Sequence, residues 1–193
     1  MLQLAMTMAP PKIETERLLL TWPTRMQVEQ YYSDIIGTNM FDTIQWDGPS
    51  GPEDLHSYWK ECFSLDQSDI NNDVNFAVIE KSSNLYLGGI SLSPVDRNHE
   101  VADVGYAFAP KNHGKGFATE AMRALVHEAF AKRKAQRIFA EVFAGNDQSQ
   151  RVAEKIGFKF EGISRRAIKK RGQWLDKSIL AITRPDWEKL QVE

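Results

Sequence analysis

Apolar positions along this chain change period as they go, and each change predicts an element. Leu18, Leu19 and Leu20 lie in a short apolar run from Arg17 to Trp22 that Pro23 closes, which predicts a first strand. Thr24 then stands where a helix N-cap belongs, and the following helix reaches about Ile36. After the turn-rich stretch Asp47-Gly48-Pro49-Ser50-Gly51-Pro52, Leu55, Tyr58, Trp59, Cys62 and Phe63 recur at helical spacing on one face. A polar turn from Asp69 to Asp73 precedes three strand-like runs, Val74 to Glu80, Leu85 to Pro94 and Glu100 to Phe108. Their short connections predict an antiparallel meander.

From there helix and strand alternate. Phe117, Ala118, Ala121, Met122, Leu125, Ala129 and Phe130 face a sheet from a helix spanning about Lys115 to Lys132, while Glu120, Arg123, Glu128 and Lys132 face water. A strand from about Arg137 to Phe143 follows. The turn Ala144-Gly145-Asn146-Asp147 then opens a short helix with Val152, Ala153 and Ile156 inside and Gly157 at its C-terminal end. Phe158 to Ala167 and Trp174 to Thr183 read as two strands joined by a hairpin through Lys169-Lys170-Arg171-Gly172. A meander first and one crossover later predicts an α+β domain with a mixed sheet.

Composition excludes several classes. At 193 residues the chain suits one domain that buries roughly 70% of its unfolded surface. A formal charge of -2 supplies no global field to attract nucleic acid or an anionic membrane. A single cysteine, Cys62, rules out an intrachain disulfide and a multi-cysteine metal site, fits a reducing cytoplasm, and reads as core. The opening Met1 to Met8 segment has no basic region and no apolar run long enough for export or membrane insertion. A cytoplasmic protein without metal is expected.

Candidate chemistry concentrates in Lys111-Asn112-His113-Gly114-Lys115-Gly116-Phe117-Ala118-Thr119, where a strand runs through a glycine turn into a helix. Two glycines two apart permit a tight turn, and the N–H groups left free lie at a helix N-terminus that favours an anion. A Walker A loop needs a glycine at Ala109 and Ser or Thr at Gly116, so that reading fails. A dinucleotide fingerprint needs a third glycine at Thr119, although Glu141 lies near the offset of a ribose-binding acid. The strands that precede this unit weigh against a dinucleotide fold, and coenzyme A is the third reading.

Lys111-Asn112-His113-Gly114-Lys115-Gly116 resembles the Gln/Arg-x-x-Gly-x-Gly/Ala pyrophosphate loop of the GNAT superfamily of N-acetyltransferases, with Lys111 in the Gln/Arg position. Asn146-Asp147-Gln148-Ser149, Gly157-Phe158 and Glu161-Gly162 follow in the order and spacing of the RimJ/RimL-like branch. Glu16-Arg17-Leu18-Leu19-Leu20 and the strand from Asp176 to Arg184 also resemble it. The resemblance spans about residues 13–190, with 1–12 as an N-terminal extension. It implies a GNAT-type sheet of about seven mostly antiparallel strands, about four flanking helices, and a single acyl-CoA-binding domain. It also implies acetyl-CoA as cosubstrate, held by the loop, by Tyr106 and Phe108 on the preceding strand, and by Asn146 and Ser149.

Amide formation requires removal of a proton from an ammonium, stabilisation of an oxyanion and support for a leaving thiolate. Many GNAT enzymes place a tyrosine seven residues after the motif asparagine, but that position is Ala153 here, so the resemblance assigns the leaving-group role to Ser149 or a bound water. Candidates for the base are Glu100, Asp103 and Glu141, with His99 and His113 as weaker ones. Regular alternation puts Glu100 and Asp103 on opposite faces. An α-amine is roughly a tenth neutral at pH 7 and a lysine amine only about once in 2,500, so a weak base suits a protein N-terminus or a small amine.

The cluster Arg165-Arg166-Ala167-Ile168-Lys169-Lys170-Arg171 is expected to be a charged hairpin tip guarding an edge strand, not a nucleic-acid patch. Trp46 and the Gly48 to Pro52 loop suit an acceptor-site wall, and Trp46 equally suits the core. The expected function is acetyl transfer to a primary amine by a monomer or homodimer. A non-catalytic acyl-CoA sensor is the alternative that Ala153 keeps open.

Overall fold

The computed structural model describes residues 10–64, 72–96 and 98–192. The expected extension lies largely outside the described residues, as does the start of the Asp69 to Asp73 turn. Local signals set the first elements. A two-residue β1 (Ile13–Glu14) leads to β2 (Leu18–Thr21), where Leu18 and Leu20 are fully buried. Thr24 caps α1 (Arg25–Ile35) through a reciprocal box: its hydroxyl accepts from Gln27 N–H, and its own N–H donates to Gln27 Oε1 at 2.9 Å. In α2 (Pro52–Ser64), Leu55, Trp59 and Cys62 are buried. Tyr58 and Phe63 are not part of that buried stripe. Tyr58 bonds Asn75 Oδ1 at 2.9 Å, and Phe63 lies against Trp22 at the rim.

The meander forms as expected from β3 (Val74–Glu80), β4 (Tyr86–Asp96) and β5 (Val101–Phe108). The crossover helix α3 (Phe117–Ala131) carries the chain to β6 (Arg137–Phe143). Then come α4 (Asp147–Glu154), the hairpin β7 (Lys159–Lys170) and β8 (Gln173–Thr183), and α5 (Arg184–Leu190). The sheet order is β1-β2-β3-β4-β5-β6-β8-β7, and only the β5/β6 pair is parallel. Among the described residues, eight strands and five α-helices stand where seven and four were expected. The additions are the brief β1 and the short α5, which starts in a Thr183/Asp186 capping box with a proline in its first turn.

Apolar side chains fill both faces of this sheet. On β3, Val74, Phe76 and Val78 join the core under α3, while Ala77 and Ile79 join a second core with Val28, Tyr31 and Ile35 of α1 and Leu55 and Trp59 of α2. This is the period-two alternation of a strand buried on both sides. At the parallel junction the pairing is brief: Val101, Ala102 and Asp103 face Arg137, Ile138 and Phe139, and no ladder continues beyond them. The remainder of β5 and β6 diverges, and the sheet opens as a V whose vertex is at Asp103 and Phe139.

Candidate active site

The V exposes the backbone of β5. Ala109 N–H bonds Leu87 O on the β4 side at 3.1 Å, and Gln136 N–H bonds Glu100 O on the β6 side at 2.8 Å. Alternation along the strand therefore aims the N–H groups of Val104, Tyr106 and Phe108 into the open V. An extended ligand that adds itself as a short strand fits this edge. Past Phe108 the chain makes a 3₁₀ turn (Pro110–Asn112) and reaches the glycines. Gly114 and Gly116 take φ of +75° and +81°, which a side chain adopts only under strain. Gly116 is the N-cap of α3 and brings no capping side chain, so the N–H groups of Phe117, Ala118 and Thr119 open onto the end of the V. This is a fit for a phosphate at the end of an extended arm.

The loop's side chains are mostly engaged elsewhere. Lys111 pairs with Asp34 of α1, and buried Asn112 donates from Nδ2 to Leu87 O at 3.1 Å. His113 Nε2 lies 2.9 Å from Phe108 O and, facing a carbonyl, must donate. Asn112 and His113 anchor the cradle to the sheet and Lys111 ties it to α1, while the exposed Lys115 stays at its surface.

On the face of the sheet that carries α3 and α4, Ser149 approaches Tyr106. Burial pushes the Tyr106 phenol up, and the neighbouring Ser149 hydroxyl opposes that shift. Asn146 serves as N-cap of α4, its Oδ1 accepting from Ser149 N–H at 3.2 Å. Asn146 thus fixes the first turn of α4, and Tyr106 meets Ser149 there. Ala153 is buried core. A sequence search for a tyrosine on α4 misses Tyr106 because the phenol comes from β5.

The other face of the V holds the carboxylates. Asp103, Glu141 and Lys177 alternate onto the face opposite the α3 core, and Lys177 Nζ lies 2.5 Å from Glu141 Oε2. Burial first, and then the negative charge of Glu141, push the Asp103 carboxyl up to about 6, against the pull of Lys177. Its Oδ1 is buried without a hydrogen-bond partner. Glu100 differs from the expectation: it stands in the turn before β5 with φ +55°, exposed and below the closed end of the V. The three-residue paired segment separates it from the opening. His99 pairs with Asp96 in the same turn. Lys177 escaped the sequence reading, although a lysine inside the apolar run of β8 was a usable signal.

Beyond Glu141 a cavity of about 500 Å³ is bounded by Asp42, Thr43, Phe143, Asn146, Leu175 and Asp176, among others. Its outer wall is the loop between α1 and α2, held by the hairpin tip. Lys170, almost fully buried, places Nζ 3.2 Å from Trp46 O, 3.4 Å from Gln45 O and 2.8 Å from Asp47 Oδ1. Arg171 reaches Asp42 at 2.7 Å. Part of the basic cluster is therefore an internal strap. Trp46 stays 45% exposed and meets Phe41 edge-on at 5.5 Å, so it lies on the wall and not in the core. Among the described residues no group of His, Cys, Asp and Glu is placed to hold a metal ion, and no helix is long and apolar enough to cross a membrane.

Known proteins share the fold and much of the sequence. The acetyltransferase (GNAT) domain model matches residues 17–159. The probable N-acetyltransferase YjcK of Bacillus subtilis is 39% identical over 119 residues, 61% of this chain and 66% of that protein, just under two thirds of its length. The [ribosomal protein uS5]-alanine N-acetyltransferase of Escherichia coli is 28% identical over 113 residues, 58% of each chain. A crystal structure of a GNAT-family acetyltransferase from Bacillus anthracis superposes with a TM-score of 0.79 at 27% identity, covering 91% of this chain and 99% of the other. With a cleft of this form and a family match over most of its length, the chain belongs to the GNAT family of N-acetyltransferases.

Proposed function

We propose that the protein transfers the acetyl group of acetyl-CoA to the α-amine of a protein N-terminus. The observation that carries this reading is the division of the V: the hydroxyls of Tyr106 and Ser149 on one face, carboxylates on the other, and strand N–H donors between. Acetyl-CoA supplies an activated thioester. The N–H groups of Tyr106 and Phe108 orient its arm and face the developing oxyanion. Asp103 takes the first proton of the attacking ammonium, directly or through a water; as the tetrahedral adduct collapses, Ser149, beside Tyr106, donates its hydroxyl proton to the departing sulfur and recovers one from the adduct's nitrogen, which leaves a neutral amide.

A carboxylate that ionises near 6 is a weak base, matched to an α-amine that is already partly neutral at pH 7. The similarity to a ribosomal-protein alanine acetyltransferase supports the same acceptor class. We place the domain at 13–190 and its action in the cytoplasm.

The test uses acetyl-CoA with two synthetic peptides, one with a free N-terminal alanine and no lysine, the other N-terminally blocked with one lysine. Thiol release and peptide mass are followed. Acetylation confined to the free alanine supports the reading. Acetylation of the lysine peptide, or of neither peptide while CoA still binds, sinks the acceptor assignment.

A further inference from the structure

Arg17 lies 98 residues from Lys115 in sequence and touches the glycine cradle from its outer side. Its Nη1 donates to Lys115 O at 3.0 Å. Its Nε and Nη2 each lie 2.6 Å from Glu120 Oε2. The guanidinium stands 4.8 Å over the Phe117 ring, and Nη2 is 3.4 Å from where a Cβ on Gly116 would sit. The other Glu120 oxygen accepts from Arg17 N–H at 3.0 Å and from the Thr15 hydroxyl at 2.6 Å. Burial works to raise the Glu120 carboxyl, yet these donors hold it below its usual range.

We propose that Arg17 is a positioning residue for the phosphate cradle, and that its partner Glu120 is a competitor it must restrain. This rests on the acetyl-CoA reading above. Two physical arguments carry it. In a trans peptide, C=O and N–H point in opposite directions, so capture of the Lys115 carbonyl by Arg17 turns the Gly116 N–H away from Arg17 and toward the cradle. In addition, Glu120 is an acid in the first turn of α3. Such a residue, if free, is drawn to the unpaired N–H groups and the positive helix end that the phosphate needs. Arg17 and Thr15 occupy both of its oxygens and keep that end open.

The test is CoA binding by calorimetry for the wild type, Arg17→Met, and the double variant Arg17→Met/Glu120→Gln, with circular dichroism to check folding. S-acetylpantetheine, which lacks the pyrophosphate, is the control acetyl donor with the free-alanine peptide. Arg17→Met is expected to weaken CoA at least tenfold and to change kcat/KM for S-acetylpantetheine less than twofold. Glu120→Gln in that background is expected to recover threefold or more of the CoA affinity, which loss of packing alone would not allow. Should Arg17→Met not fold, Arg17→Lys takes its place, because a lysine's single nitrogen lacks the planar fork with which Arg17 reaches Lys115 O from Nη1 and Glu120 from Nε and Nη2, and at least a threefold weakening is expected. Unchanged CoA affinity in a folded Arg17 variant, or no recovery in the double variant, overturns the proposal. A wild type that does not bind CoA overturns the acetyl-CoA reading itself, a separate outcome.

Discussion

Lys177 Nζ lies 2.5 Å from Glu141 Oε2, and this pairing divides the two carboxylates of the cleft. Glu141 is held by a nearby cation. Asp103 faces the opening with an unpartnered oxygen.

That division predicts a pH dependence. Aspartate ordinarily ionises near 3.9, whereas Asp103 keeps its proton to about 6 in the fold. Between those values the folded chain binds more protons than the unfolded one, so this group's contribution to stability falls as pH rises from about 4 to about 6 and then levels. Urea midpoints should show this component in the wild type and its loss in Asp103→Asn. The same variant should lower kcat/KM about 10²-fold or more at pH 7. A wild-type rate that does not rise through the region of pH 6 would remove Asp103 from the role of base.

Ser149→Ala should lower kcat by about 10²-fold, the low end of what a positioned proton donor contributes, with little change in CoA affinity. Tyr106→Phe should give a smaller loss, since it removes only a hydroxyl that neighbours Ser149. Single-turnover acetyl transfer measures both. Equal losses in the two variants would point to the phenol itself as donor.

Lys170→Met strips a buried ammonium from two carbonyls and Asp47 while keeping most of the stem. Each lost hydrogen bond of this kind costs about 0.5–1.5 kcal/mol, so the chemical-denaturation midpoint should fall. Loosening the wall should also raise KM for the acceptor peptide more than KM for acetyl-CoA. Hydrogen exchange at residues 42–47 reports the loosening directly.

Gly116→Ala places a side chain at φ +81° beside Arg17, at a cost of about 1–2 kcal/mol. Relief of that strain would turn the cradle N–H groups aside. CoA affinity should drop about tenfold in calorimetry, with catalysis at saturating acetyl-CoA largely kept.

Strands and helices were legible wherever one local pattern decided them. Val74 to Glu80 and Arg137 to Phe143 form the strands that their apolar runs indicate, and Thr24 starts α1 as a capping residue should. Departures came where neighbours overrode the local pattern. Tyr58 and Phe63 carry the spacing of a buried face but find rim partners in Asn75 and Trp22. Glu100 belongs by composition to the strand run, yet its left-handed backbone keeps it in the turn and the strand starts one residue later, at Val101. The basic hairpin reads as a solvated tip, and burial of Lys170 follows only from carbonyls more than a hundred residues away.

By itself the sequence determined the α+β order of elements, the glycine turn at the start of α3 and the Asn146 to Ser149 helix start, because each depends on backbone preferences within a few residues. Only the tertiary structure decided where β5 and β6 part, that Asp103, Glu141 and Lys177 share one face while Tyr106 and Ser149 share the other, and that Arg17 restrains Glu120. Those relationships join residues tens of positions apart. Strand register and burial set their distances and charges, and no local periodicity encodes them.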